Sequence, residues 1–156
     1  MAQGEELGSY IIKGGEKGRA RLSILARVLA PTTKKLFDRF EPLHGLLAID
    51  AGCGGGDVSF ELAERVGAGG RVVGFDLDEA KIASAREEAA RRQCGHIEFH
   101  TGSVVDLWPA SGSSFVYVRF VLTHLPEPQA LLARALDALA PGGFLVVEDI
   151  DYAGHF

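Results

Sequence analysis

The segment Leu46-Leu47-Ala48-Ile49-Asp50-Ala51-Gly52-Cys53-Gly54-Gly55-Gly56-Asp57 constrains the fold of this chain more than any other. An apolar run ends in a carboxylate, and glycine then fills four of the five positions from 52 to 56. Glycine reaches positive φ and lets a backbone approach a ligand closely. The segment therefore reads as a strand over 46–50, a tight loop, and a helix entered near Asp57. Gly52, Gly54 and Gly56 are spaced G-x-G-x-G, whereas a dinucleotide loop has G-x-G-x-x-G. Asp50 stands two residues before the first glycine. A carboxylate there is a poor neighbour for a pyrophosphate and a good one for an amino group or a sulfonium.

Beyond the loop the pattern is regular. Strands are expected at 46–50, 71–75, 96–99, 115–118 and 143–148, and helices at 57–66, 79–92 and 128–139. Gly67 to Gly70 and Pro141-Gly142-Gly143 are stop signals between helix and strand. Strands apolar throughout and separated by single helices imply an α/β fold, a doubly wound and mostly parallel sheet covered on both faces. Such sheets bind ligands beyond the carboxyl ends of their strands. Ahead of this core, Leu22, Leu25, Ala26 and Leu29 mark one face of a helix starting near Arg19. Pro31 is expected to break it, with Thr32 or Thr33 capping a second helix that carries Leu36, Phe37 and Phe40. Residues 1–45 thus read as an N-terminal helical segment and 46–156 as the ligand-binding domain.

The composition narrows the function classes. The 156 residues are 47% hydrophobic and 24% charged, ordinary for a globular domain long enough to bury a core. A net charge of −5 without a dense Lys/Arg cluster argues against a nucleic-acid partner. No apolar run approaches the roughly 18 residues of a membrane span. Cys53 and Cys94 form neither a metal-ligand spacing nor a disulfide framework, and His44, His96, His100 and His155 have no spacing that suggests a metal. The acidic start Met1-Ala2-Gln3-Gly4-Glu5-Glu6 does not read as a signal peptide. Reduced thiols and a cytoplasmic location are the expectation.

Five segments, in order over 46–149, carry a resemblance to a known family. Asp50-Ala51-Gly52-Cys53-Gly54-Gly55-Gly56 resembles the first motif, D/E-x-G-x-G-x-G, of class I S-adenosylmethionine-dependent methyltransferases, which are Rossmann-like. Val72-Val73-Gly74-Phe75-Asp76-Leu77-Asp78 resembles the end of their second strand, Phe99-His100-Thr101-Gly102-Ser103-Val104 the segment after the third, and Val116 to Leu125 the fourth-strand motif. Leu139-Ala140-Pro141-Gly142-Gly143-Phe144-Leu145-Val146-Val147-Glu148 is similar to the L-x-P-G-G-x-L-x-x-x-E turn into the fifth.

The resemblance implies S-adenosylmethionine as cofactor and S-adenosylhomocysteine as product. It implies that Gly52, Gly54, Gly56 and the backbone of Cys53 line the cofactor, and that Asp76, with Leu77 beside it, takes both ribose hydroxyls. Asp76 has a competing reading as a helix cap, a role that Asp78 fits better. Asp50 would meet the cofactor directly or through water, or else orient the loop's amides. Ser103 and the amide of Val104 are the adenine candidates; the family often has an aspartate in place of this serine, and Asp106 is the alternative acid. Arg119 is weighted for position, its backbone beside the methionine moiety. Tyr10 and Arg21 lie in a segment resembling a cofactor-covering lid, where an arginine pairs with the cofactor carboxylate or simply faces solvent. Trp108 either covers the adenine or packs. His124 is placed to take a proton from an oxygen nucleophile.

The family's reaction is an in-line displacement in which alignment does most of the work. The segment Arg119-Phe120-Val121-Leu122 lacks the Asn/Asp-Pro-Pro-aromatic run of enzymes that methylate nucleic-acid bases, which favours a small-molecule acceptor. Two alternatives stand beside this: a cofactor-binding module without activity, and an NAD-dependent oxidoreductase. The residues stop after the fifth strand, before the antiparallel strands that usually finish such a sheet, so a piece of a longer enzyme is expected. An apolar fifth-strand edge would invite a second copy or another partner.

Overall fold

A computed structural model of the chain describes residues 16–106, 108–151 and 153. In it the apolar run before the glycine loop, β1 (Leu47–Ala51), is the centre of a sheet that also contains β2 (Arg71–Asp76), β3 (Ile97–Thr101), β4 (Ser113–Arg119) and β5 (Leu139–Glu148). The strand order is β3-β2-β1-β4-β5, and every neighbouring pair is parallel. Central strands buried on both faces have to be apolar on both. Ala48, Ile49, Ala51, Val72, Val73, Phe115, Val116 and Val118 are accordingly all inaccessible to solvent.

Two helices, α2 (Asp57–Val66) and α3 (Glu79–Arg91), follow β1 and β2. They cover the face that carries Gly74 and Phe99, where Phe60 of α2 meets Phe99 at 5.9 Å. On the opposite face Leu131, Ala135 and Ala138 of α4 (Pro128–Ala138) pack with Ile49, Val73, Phe75, Val116 and Val118. The expected elements place no helix between β3 and β4. Among the described residues of 102–112 there is no helix. Trp108 fills the space instead: its ring lies edge-on to Phe75 at 5.1 Å, and its indole N–H donates to the Val104 carbonyl at 2.9 Å.

Two expectations change. β5 starts at Leu139, ahead of the Pro141-Gly142-Gly143 stop, because the register jumps from Ser113↔Leu139 to Phe115↔Phe144. The Pro-Gly-Gly turn is thus an irregularity within the strand's pairing, with Gly142 at φ 82. The chain divides into two compact units between Arg39 and Phe40. In the first, α1 (Glu16–Phe37) continues through Pro31. Proline offers no N–H to the preceding turn, and the Thr32 hydroxyl donates to the Leu29 carbonyl at 2.7 Å. Thr32 therefore back-bonds inside one helix and caps no second one. Phe40 lies in a 3-10 turn, Asp38–Phe40, and meets Phe115 and Phe144 at 5.6 and 5.2 Å.

Candidate cofactor and active site

The crossovers leave β1 and β4 on opposite faces of the sheet, which opens a crevice at their carboxyl ends. The glycine loop borders it. Gly52 and Cys53 donate their amides to the Phe75 carbonyl at 2.8 and 3.0 Å, and Gly54 donates to Asp76 Oδ2 at 2.9 Å. Gly52 has φ 76, and a Cβ there would lie 2.5 Å from Val121 Cγ2. Gly56, at φ 86, is the N-cap of α2, where a Cβ would lie 2.8 Å from the Phe99 ring. Gly54 and Gly55 differ: nothing stands within 4 Å of a Cβ built on either. The two ends of the loop are locked, Gly52 against Val121 beyond β4 and Gly56 against Phe99 of β3, and its middle is open.

Asp76 ends β2 beside that open middle. Its Oδ1 accepts the Asp78 amide at 2.9 Å, so both carboxylate oxygens hold backbone and each keeps lone-pair capacity for a further donor. The capping role belongs to Asp78, which accepts from Ala80 and Lys81 at 3.1 and 3.2 Å. Leu77, between them, is 71% exposed. Bare apolar surface next to a carboxylate and an open glycine backbone fits a ligand with one flat apolar part and vicinal hydroxyls.

Asp50 sits deeper, 2% exposed, on the same face as Gly74 and Tyr117. The Gly52, Cys53 and Gly54 amides are held by Phe75 and Asp76 instead, and that of Gly56 by the Cys53 carbonyl. Asp50 Oδ2 accepts the Ser59 hydroxyl at 2.6 Å. Desolvation raises its pKa from 3.8 to about 6, against the Ser59 hydrogen bond and the Arg119 charge, which lower it; the Asp76 charge adds to the rise. A carboxyl with its folded pKa raised is better tolerated neutral, so its stabilising contribution is present at acid pH and lost as pH rises through about 6. Asp50→Asn is therefore expected to raise the Tm of the ligand-free chain at neutral pH, by at most the equivalent of about 3 kcal/mol. Scanning calorimetry at two pH values checks this.

At the other wall, Arg119 ends β4 opposite Glu148 of β5, its guanidinium 5.8 Å from the Phe120 ring. Phe120 turns the chain away from the strand at φ 55 and donates its amide to the Glu148 carbonyl at 2.9 Å. Tyr117 is fully buried and donates its hydroxyl to Glu148 Oε2. His124 is exposed at the end of the 3-10 turn Leu122–His124, just beyond. Ser103 and Val104 follow β3; the Ser103 hydroxyl accepts the Val105 amide at 3.3 Å, and Val104 is buried. Burial and the nearby carboxylates Asp50 and Asp76 hold Cys53 as a thiol. Arg21 lies on α1, but its side chain is outside the described residues, as is the whole of Tyr10.

A family model for the methyltransferase domain matches residues 44–156. The chain belongs to the class I S-adenosylmethionine-dependent methyltransferases. It is 36% identical over 114 residues to the nocamycin O-methyltransferase of Saccharothrix syringae, covering 72% of this chain and 41% of that protein. It is 33% identical over 114 residues to the demethylmenaquinone methyltransferase of Lactococcus lactis, covering 72% and 45%. A S-adenosylmethionine-dependent methyltransferase from Aquifex aeolicus shares the fold at a TM-score of 0.68 and 23% identity, covering 74% of this chain and 62% of that one. The chain spans about half the length of the curated relatives it matches.

In this methyltransferase domain Trp108 packs; its buried indole is committed to Val104 and Phe75. Trp108→Phe is expected to cost on the order of 1 kcal/mol of stability, from the lost hydrogen bond. S-adenosylhomocysteine affinity should stay within about twofold, which calorimetric titration of the variant would measure. No helix is long and apolar enough to cross a membrane, and no metal-ligand cluster occurs, among the described residues. Sequence reasoning missed Ser59, Tyr117 and Glu148 as site neighbours. Glu148 and Tyr117 fall within quoted motifs but join only through strand register, and Ser59 reads as one more small residue on the inner face of α2.

Proposed function

We propose that this chain binds S-adenosylmethionine across the carboxyl ends of β1, β2 and β4 and transfers its methyl group to a small-molecule acceptor. The observation that carries the reading is Asp76, a carboxylate at the end of β2 tied to the Gly54 amide and flanked by exposed Leu77. Asp76 takes the two ribose hydroxyls, and Leu77 lies against the adenine. Ser103 and the Val104 amide meet the adenine edge. Gly52, Cys53, Gly54 and Gly56 bring bare backbone to the ligand, while Asp50 and the Arg119 backbone face its methionine part.

When bound, the cofactor supplies an electrophilic methyl carbon on a sulfonium, open to in-line attack. The chain's contribution is orientation: glycine backbone and two carboxylates fix one reactant, and the wall beyond β4 aligns the other. His124 stands on that wall, where it can accept the proton released by a hydroxyl acceptor. A small acceptor is supported by the net charge of −5 without a basic cluster, and by relatives named for nocamycin and demethylmenaquinone. A soluble cytoplasmic protein, and a second copy paired along the β5 edge, complete the proposal. Light scattering that shows only monomer at high concentration would refute the pairing.

Transfer of isotopically labelled methyl groups tests the reading directly. Labelled product is expected from a panel of phenolic and enolic acceptors, using this chain and one extended past Phe156. Cofactor binding without transfer by either chain would favour a binding module.

A further inference from the structure

Ser59 lies in the first turn of α2, three residues past the glycine loop, and is wholly buried. A hydroxyl in such a place must find a partner, and it finds Asp50 at 2.6 Å. The contact needs the space that Gly74 leaves. A Cβ on Gly74 of β2 would come 2.8 Å from Ser59 Oγ, so a side chain at 74 would push the hydroxyl off the carboxylate. Three elements thus meet at one hydrogen bond: β1 brings Asp50, α2 brings Ser59, and β2 leaves the gap.

From this geometry we infer that Ser59 is a positioning residue for cofactor binding: its hydroxyl holds the Asp50 carboxylate ionised and aimed at the ligand's ammonium. The inference rests on the proposed function and assigns a task to a residue that does not itself touch the ligand. Donation to Oδ2, together with the Ser59 backbone amide, restricts the rotation of the carboxylate. It also offsets part of the penalty for burying a charge, because a hydrogen bond from a neutral donor stabilises the ionised form.

The groups that face Asp50 are few. From β4 come Arg119 and, opposite in register, the Tyr117 hydroxyl, itself committed to Glu148. From β2 comes Asp76, and from the loop the Cys53 thiol. Burial and the neighbouring carboxylates keep the Cys53 thiol protonated. The difference in acid midpoint between the parent and a Ser59 variant isolates the contribution of Asp50, the group that Ser59 bonds. An ammonium ligand needs the carboxylate, so affinity falls as pH drops through about 6.

The experiment is calorimetric titration of the whole chain with S-adenosylhomocysteine from about pH 5 to 8. It compares the parent with Ser59→Ala and with Ser59→Cys, whose thiol is a weaker donor of similar size. The acid midpoint of affinity is expected to move upward by about one pH unit in Ser59→Ala and by less in Ser59→Cys. Circular dichroism establishes that each variant is folded, and the Cys variant carries the test alone if the Ala variant is not. A folded variant with weaker binding but an unmoved midpoint would make Ser59 merely structural and overturn the inference. Unchanged binding at every pH would do the same. A parent chain that binds no S-adenosylhomocysteine at any pH would overturn the proposed function as well, so the two failures are distinct.

Discussion

Asp76→Ala is expected to weaken S-adenosylhomocysteine binding by about 100-fold or more, the scale for truncating one partner of a desolvated, charge-assisted hydrogen bond. Two contributions converge. The ligand loses the acceptor for its vicinal hydroxyls, and the protein loses the tie between Gly54 and the turn at Asp78. Asp76→Asn separates them, since one amide oxygen can still accept from a backbone amide but the side chain can no longer accept at both positions. It is expected to retain most of the thermal stability and still lose most of the affinity. Calorimetric titration and a melting curve on both variants check this. Near-parental affinity in Asp76→Ala would remove the observation on which the functional reading stands.

Gly52→Ala is expected to act on stability first. The new methyl would meet Val121 Cγ2 at 2.5 Å, and the backbone would have to keep φ 76 with an L side chain. Left-handed backbone and overpacking together cost about 2–4 kcal/mol. For a domain of this size that lowers Tm by roughly 10 °C. Gly54→Ala is the contrasting variant: nothing lies within 4 Å of its Cβ, so only the strain of φ 55 remains, about 1 kcal/mol. There the methyl projects into the open middle of the loop, and affinity should fall more than stability. Equal Tm losses in the two variants would contradict the account of a loop locked at Gly52 and open at Gly54.

Much of the fold is legible in the residues because its signals are local. The apolar run before Gly52 and the alternation of short strands with amphipathic helices are read from neighbours a few positions apart. The capping of α3 by Asp78 was equally accessible, since the N-cap bonds span two and three residues. Pro31 misled because its penalty is an average cost; Thr32 bonding back to Leu29 keeps one helix intact. The stretch between β3 and β4, where no helix is expected, is closed by one large indole, Trp108. The site was legible as far as its motifs reached, to the glycines, Asp50 and Asp76. The Ser59–Asp50 bond and the Tyr117–Glu148 pair were not, since each depends on which residues the packed sheet brings together.

The central claim is that the loop with Asp50 and Asp76 is a S-adenosylmethionine site. Its most direct test is a pair of titrations of the purified chain, one with S-adenosylhomocysteine and one with NAD, at neutral pH and equal protein concentration. Saturable one-to-one binding of S-adenosylhomocysteine, abolished in Asp76→Ala, with no heat from NAD, is the predicted result. Binding of NAD with no S-adenosylhomocysteine bound would contradict it.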